Sequence, residues 1–182
     1  YQRRVRGHQM SRKCLVVVDM QKDFMPTGAL PVPDSDLIIQ PIIELCQQYE
    51  NVVATVDAHH ANHISFNARG GPWPPHCVLN TKGVELVDGL VIGTQFLKGM
   101  DDLSNGYSII ENKQFIKFME NFDELHFVGV ALDYCVKACA IDTKKAFPTK
   151  NIIIQFDNCK PVNKVDKTQF QLEMEKEGVK VI

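Results

Sequence analysis

Three groups of residues have the types and spacing that chemistry needs. The first is the run Gly129-Val130-Ala131-Leu132-Asp133-Tyr134-Cys135-Val136. Asp123 to Val130 reads as an apolar strand. Val136 onward reads as a helix with Val136, Cys139, Ala140, Thr143 and Phe147 on one face. Cys135 therefore stands where a strand runs into a helix. Free N–H groups and the positive dipole end at a helix start favour thiolate, the nucleophilic form. The plain alternative is a buried core cysteine.

The second group is Asp57-Ala58-His59-His60, followed by His63 and His76. A carboxylate and an imidazole two residues apart can face one ion from an extended loop. His76 returns after a Gly- and Pro-rich turn and can add a third ligand. Such ligands suit Zn²⁺ first, and also Fe²⁺ or Mn²⁺. Three protein ligands leave positions open to water or substrate, whereas a purely structural zinc site would be closed by four. The alternative is a polar loop that happens to hold histidines.

The third group sits at strand ends. Asp19 closes the apolar run Cys14-Leu15-Val16-Val17-Val18, and Lys98 precedes Gly99. A lone lysine is usually solvated. Beside Asp19 and Cys135 it would hold the carboxylate ionised and stabilise negative charge. Phe24 and Trp73 can wall an aromatic pocket, or pack in a core or loop.

These groups need a frame. Short continuous apolar runs fit strands buried on both faces of a parallel sheet. They are Cys14–Val18, Asn51–Val56, a piece within Leu86–Leu97, Asp123–Val130, Asn151–Phe156 ending at Asp157, and Val179–Ile182. Helical patterns fall between them. Ile38, Ile42, Leu45, Cys46 and Tyr49 mark one, with Asp34, Ser35 or Asp36 as caps and Pro41 kinking it or delaying its start. Phe115, Phe118, Met119 and Phe122 mark another, and Val165–Lys176, stopped by Gly178, the last. Asp157 reads as a structural turn residue. Met25–Pro33, Ala58–Thr81 and Met100–Asn112 read as loops. The alternation predicts a single α/β domain, a mainly parallel sheet with helices on both faces. Ligands of such folds bind outside the carboxyl ends of the strands, where Asp19, Asp57 and Cys135 all fall.

The 182 residues suffice for one domain with a substantial core. Residues 1–12 are basic and polar and lack a signal-peptide core, so they read as an arm or a cloning remnant, leaving 13–182 as the domain. A net charge of -2 points to neither nucleic acid nor membrane as partner. No apolar run approaches the roughly 18 residues of a membrane span. Six cysteines in a chain of this length are too sparse for a disulfide scaffold and suggest a reducing, cytoplasmic setting.

Together these segments resemble the nicotinamidases, among the isochorismatase-like cysteine hydrolases. The resemblance covers nearly the whole chain from Lys13. It rests on V-V-V-D-M-Q-K-D-F (Val16 to Phe24), G-A-L-P-V-P (Gly28 to Pro33), D-A-H-H-A-N-H-I-S-F (Asp57 to Phe66), W-P-P-H-C-V (Trp73 to Val78), F-L-K-G (Phe96 to Gly99) and G-V-A-L-D-Y-C-V, in that order. It implies a catalytic triad of Asp19, Lys98 and Cys135. It implies metal ligands Asp57, His59 and His76, with His63 a secondary candidate and His60 a bystander. A cis Val130–Ala131 bond and an oxyanion hole from the Ala131 and Cys135 N–H groups follow from the same likeness, as does Tyr107 closing a pocket with Phe24, Trp73 and Ala131. The implied reaction is hydrolysis of nicotinamide, and of pyrazinamide-like analogues, in NAD salvage by a homo-oligomer. Departures are the small Ala58, the hard-to-align stretch Gly99–Asn112 and a divergent end after Asp157. Metal-free relatives that cleave a vinyl ether or a ureido amide, and a non-catalytic scaffold, are the rival readings.

Overall fold

Apolar side chains alternating along one central strand divide the core in two. In β1 (Lys13–Val18), Cys14, Val16 and Val18 face one side of the sheet, and Leu15 and Val17 the other. Strands β2 (Val52–Asp57), β3 (Thr94–Lys98), β4 (Glu124–Val130), β5 (Asn151–Lys160) and β6 (Lys180–Val181) complete a six-stranded sheet in the order β3-β2-β1-β4-β5-β6. Every neighbouring pair is parallel. The computed structural model describes residues 12–182, so the expected basic arm lies outside the described residues except for Arg12. The Arg12 carbonyl accepts the Asp123 N–H at 2.9 Å, which joins it to the start of β4.

Helices α2 (Lys113–Met119), α3 (Lys137–Ala146) and α4 (Lys167–Lys176) bury Phe115, Cys139, Phe170 and Met174 against the Val16 face. Helix α1 (Ile39–Cys46) buries Ile42 against the Val17 face, together with Phe24, Val32 and Val87 from loops. The expected α/β architecture, with helices on both faces, is therefore the observed one. Among the described residues, no helix is long and apolar enough to cross a membrane.

Local details depart from expectation where tertiary contacts take over. None of Asp34, Ser35 or Asp36 caps α1; a 3-10 turn over Ser35–Ile38 comes first, and Ser35 Oγ donates to the Phe24 carbonyl at 2.8 Å. Pro41 falls in the first turn of α1, where its missing N–H costs nothing. Tyr49 lies past the end of that helix but still packs against the same core, and its hydroxyl accepts from Gln155 Nε2 at 2.9 Å. Asp157 does not end its strand. β5 continues to Lys160 through a bulge opposite Phe127 and Gly129, and Asp157 lies 3.8 Å from Lys167. The last helix starts at Lys167, not Val165, because Asp166 accepts the Gln169 N–H at 2.9 Å.

Strands β1 and β4 meet at Val18 and Gly129, one residue short of Asp19 and two short of Ala131. Gly129 has φ 116, and a Cβ there would lie 2.2 Å from the Val18 carbonyl oxygen. Only glycine allows the two strands this approach. Gly129→Ala is expected to cost about 2–5 kcal/mol, from backbone strain plus overpacking. Urea unfolding checks it; a loss below about 1 kcal/mol would mean the strands part freely.

Candidate active site

The strand order runs outward in one direction from β1 and in the other from β4, so a crevice opens between their carboxyl ends. Asp19 follows β1, and Cys135 follows β4 on a π-helical turn, Leu132–Val136, that leads into α3. Asp57 and Lys98 sit side by side at the ends of β2 and β3. The topology thus gathers all four groups at one edge. The Val130–Ala131 peptide is cis, as the resemblance implied.

Lys98 is the hub. Its side chain is fully buried, with Nζ 2.8 Å from Asp19 Oδ2. Nζ donates to Asp57 Oδ1 at 3.2 Å, to the Gly106 carbonyl at 2.9 Å and to Cys135 Sγ at 3.3 Å. An ammonium has three N–H donors, and all three are engaged. Asp19 Oδ2 lies nearest of all to Nζ, so four acceptors share the three donors. Asp19 Oδ1 accepts the Thr55 hydroxyl at 2.7 Å. One carboxylate oxygen is anchored on Thr55 and the other lies against the Lys98 ammonium.

Burial, reinforced by Asp57, raises the Asp19 carboxyl above its usual range even against Lys98. Burial likewise pushes the Cys135 thiol well up, with Lys98 pulling the other way. The helix start therefore does not by itself make a thiolate here, because desolvation outweighs it. A base must remove the thiol proton. Burial opposes the Lys98 charge, but Asp19, Asp57 and Cys135 overcome it and keep the ammonium protonated. Asp57 is also penalised by burial, and Lys98, His59 and His76 hold it well below its usual value.

Asp57, His59 and His76 are buried and offer ligand atoms within 4.8 Å of one another. His59 Nδ1 donates to the Gly99 carbonyl at 2.9 Å, and His76 Nδ1 to the Pro74 carbonyl at 2.8 Å. Each Nε2 then turns toward Asp57 Oδ2, at 2.8 and 3.4 Å. A neutral Nε2 facing a carboxylate puts lone pair against lone pair, so the arrangement calls for a cation, either a proton or a metal. Burial lowers the His59 affinity for a proton, but the Asp57 hydrogen bond more than restores it. A backbone carbonyl fixing the far nitrogen of each imidazole is the outer-shell pattern of metal-ligating histidines. The donor set fits a divalent ion.

His63 stands apart from this trio. Its Nδ1 faces Ser65 Oγ at 2.7 Å and accepts the Ser65 N–H at 3.2 Å, while its Nε2 has no partner and its ring centroid lies 4.0 Å from that of His59. His60 is exposed.

The neighbouring pocket has an empty volume of ≈ 440 Å³ and reaches Asp57, His59, His76 and Cys135. Phe24, Trp73, Tyr107 and Ala131 line it. Trp73 Nε1 donates to the Tyr107 hydroxyl at 3.0 Å, tying two long loops across the mouth. Tyr134 packs edge-on against Trp73 at 5.2 Å. Sequence reasoning passed over Tyr134, although it adjoins Cys135, and over Thr55, which reads as one more strand residue. Val162 also lines the pocket and had no signal, because the β5 bulge and the Asp133 side chain bring it there. Asp133 accepts the Val162 and Asn163 N–H groups at 2.8 and 2.9 Å.

The chain matches the isochorismatase domain model over residues 13–182. It is 34% identical to the nicotinamidase of Escherichia coli over 184 residues, covering 85% of each chain. Among solved structures it resembles the pyrazinamidase of Pyrococcus horikoshii in complex with zinc, at 38% identity and a TM-score of 0.86, covering 94% of this chain and 98% of that one. It also resembles the yeast nicotinamidase bound to the inhibitor nicotinaldehyde, at 29% identity and a TM-score of 0.83, covering 93% and 99%. With that match over nearly its whole length, and with the Asp19, Lys98 and Cys135 constellation in place, the chain belongs to the isochorismatase domain family.

Proposed function

We propose that this chain is a metal-dependent amidohydrolase that converts nicotinamide to nicotinate and ammonia through a Cys135 thioester. The observation that carries the reading is the contact of one buried ammonium, Lys98, with Asp19, Asp57 and Cys135 at the floor of an aromatic pocket. The nicotinamidase relatives support the substrate.

Phe24, Trp73, Tyr107 and Tyr134 offer apolar faces and edges that suit a flat heteroaromatic ring. Asp57, His59 and His76 would hold a divalent ion, zinc foremost with iron or manganese compatible, which would supply a Lewis-acidic anchor for a ring nitrogen. Asp19 Oδ2 takes the Cys135 proton, and Sγ attacks the amide carbon. The Ala131 and Cys135 N–H groups receive the developing oxyanion. Protonated Asp19 then delivers its proton to the departing ammonia, and the carbon–nitrogen bond breaks. Water gives a proton to Asp19, attacks the thioester and releases the acid, returning the thiol. Lys98 offsets the negative charge on Asp19 and sulfur throughout. Pyrazinamide has the same ring-and-carboxamide shape and fits the same pocket. The nicotinate produced suits salvage toward NAD, and the six free cysteines suit a reducing, cytoplasmic setting. A homo-oligomer is the assembly we infer from the family.

Two outcomes are expected in solution. Ammonia release from nicotinamide by the zinc-loaded protein should fall to background in Cys135→Ala and by about tenfold or more in His76→Ala or after chelation. Release that survives Cys135→Ala would move the chemistry to the metal. Separately, Lys98→Met removes the group that favours thiolate. Alkylation of Cys135 by iodoacetamide at about pH 8 should slow about tenfold or more, read by mass spectrometry. An unchanged rate would sink the role given to Lys98.

A further inference from the structure

Asp23 takes no part in the chemistry above, yet its carboxylate joins two loops that build the site. It lies on a 3-10 turn, Lys22–Phe24, just after β1. Asp23 Oδ2 accepts the Cys77 N–H at 2.8 Å, and Oδ1 accepts the Ala29 N–H at 3.2 Å. Its own carbonyl accepts the Leu30 N–H at 2.9 Å. Cys77 directly follows the ligand His76 and has φ 47. The Cys77 carbonyl accepts the N–H of the other imidazole ligand, His59, at 2.9 Å. One peptide unit after His76 is therefore gripped by Asp23 on its N–H side, and Cys77 grips His59 on its carbonyl side.

The carboxylate is half-buried, with a glycine packed against it. A Cβ on Gly83 would lie 2.0 Å from Asp23 Oδ2 and 2.2 Å from its Cγ. The chain at Gly83 thus runs against the carboxylate and leaves no room for a side chain there. Phe24, the next residue, places its ring 5.6 Å from that of His76. Both Asp23 oxygens face N–H donors, so the position needs an acceptor at each end. An amide would turn its NH₂ toward one of those donors.

We propose that Asp23 is a positioning residue that sets metal affinity from outside the ligand set, by holding His76 against Asp57 and Phe24 against the pocket. This rests on the metal site of the preceding section. Three variants test it: Asp23→Ala removes both acceptors, Asp23→Asn removes one, and Gly83→Ala pushes the carboxylate aside without deleting it.

Zinc dissociation constants are measured by competition with a chromophoric chelator, beside the melting temperature of the metal-free protein and the iodoacetamide reactivity of Cys135. Asp23→Ala is expected to weaken zinc binding about 10–100-fold, with Asp23→Asn and Gly83→Ala falling between it and the parent. Cys135 reactivity should stay near that of the parent. In nicotinamide turnover KM should rise more than kcat falls. Should Asp23→Ala fail to fold, the two milder variants decide. Zinc affinity within about threefold of the parent in every folded variant would overturn the proposal and leave the metal reading standing. A parent protein that binds no zinc would overturn both.

Discussion

A buried ammonium governs this site. Taking a lysine out of water costs several kcal/mol, and a fold tolerates it only where opposite charges and acceptors replace the lost hydration. Lys98 finds two carboxylates, a backbone carbonyl and a sulfur, drawn from β1, β2, the 99–107 loop and the turn before α3. Each partner holds the others in turn. Two carboxylates against one ammonium leave an excess of negative charge, which works against a third anion on Cys135. A divalent ion on Asp57, His59 and His76 would reverse that excess, so the metal half and the thiol half of the site are electrostatically linked through Asp57.

The same residue type does different work according to the hydrogen bonds around it. His59 and His76 have their Nδ1 atoms held by backbone carbonyls, which frees Nε2 for a cation. His63 is equally buried but is held the other way round by Ser65, so its Nδ1 is an acceptor and it stands outside the trio. The two aspartates divide in the same manner. Lys98, His59 and His76 hold the Asp57 carboxyl below its usual range, whereas burial raises that of Asp19. A metal ligand and a proton carrier need these opposite settings.

Much of the frame could be read along the chain because its causes are local or nearly so. Runs such as Cys14–Val18 and Phe127–Val130 are apolar on both faces, which suits a covered parallel sheet. The order of strands and helices then puts Asp19, Asp57, Lys98 and Cys135 at carboxyl ends, and the family resemblance groups them. The misreadings were of competition between local and distant contacts. Ser35 has the chemistry of a cap but spends its hydroxyl on Phe24. Asp157 has the chemistry of a turn but lies inside a bulged strand.

What the amino-acid sequence determined by itself was therefore the α/β class, the set of candidate groups and the edge on which they meet. Burial, protonation and pocket shape were decided only by the tertiary structure. Whether Cys135 is a thiolate depends on the balance of desolvation and the Lys98 charge, and both come from residues far away in the chain. Whether a histidine can ligate depends on which carbonyl or hydroxyl meets its other nitrogen. Val162 reaches the pocket only because a bulge in β5 and the Asp133 carboxylate carry it there. Such properties are sums over neighbours in space, and no window of sequence contains those neighbours.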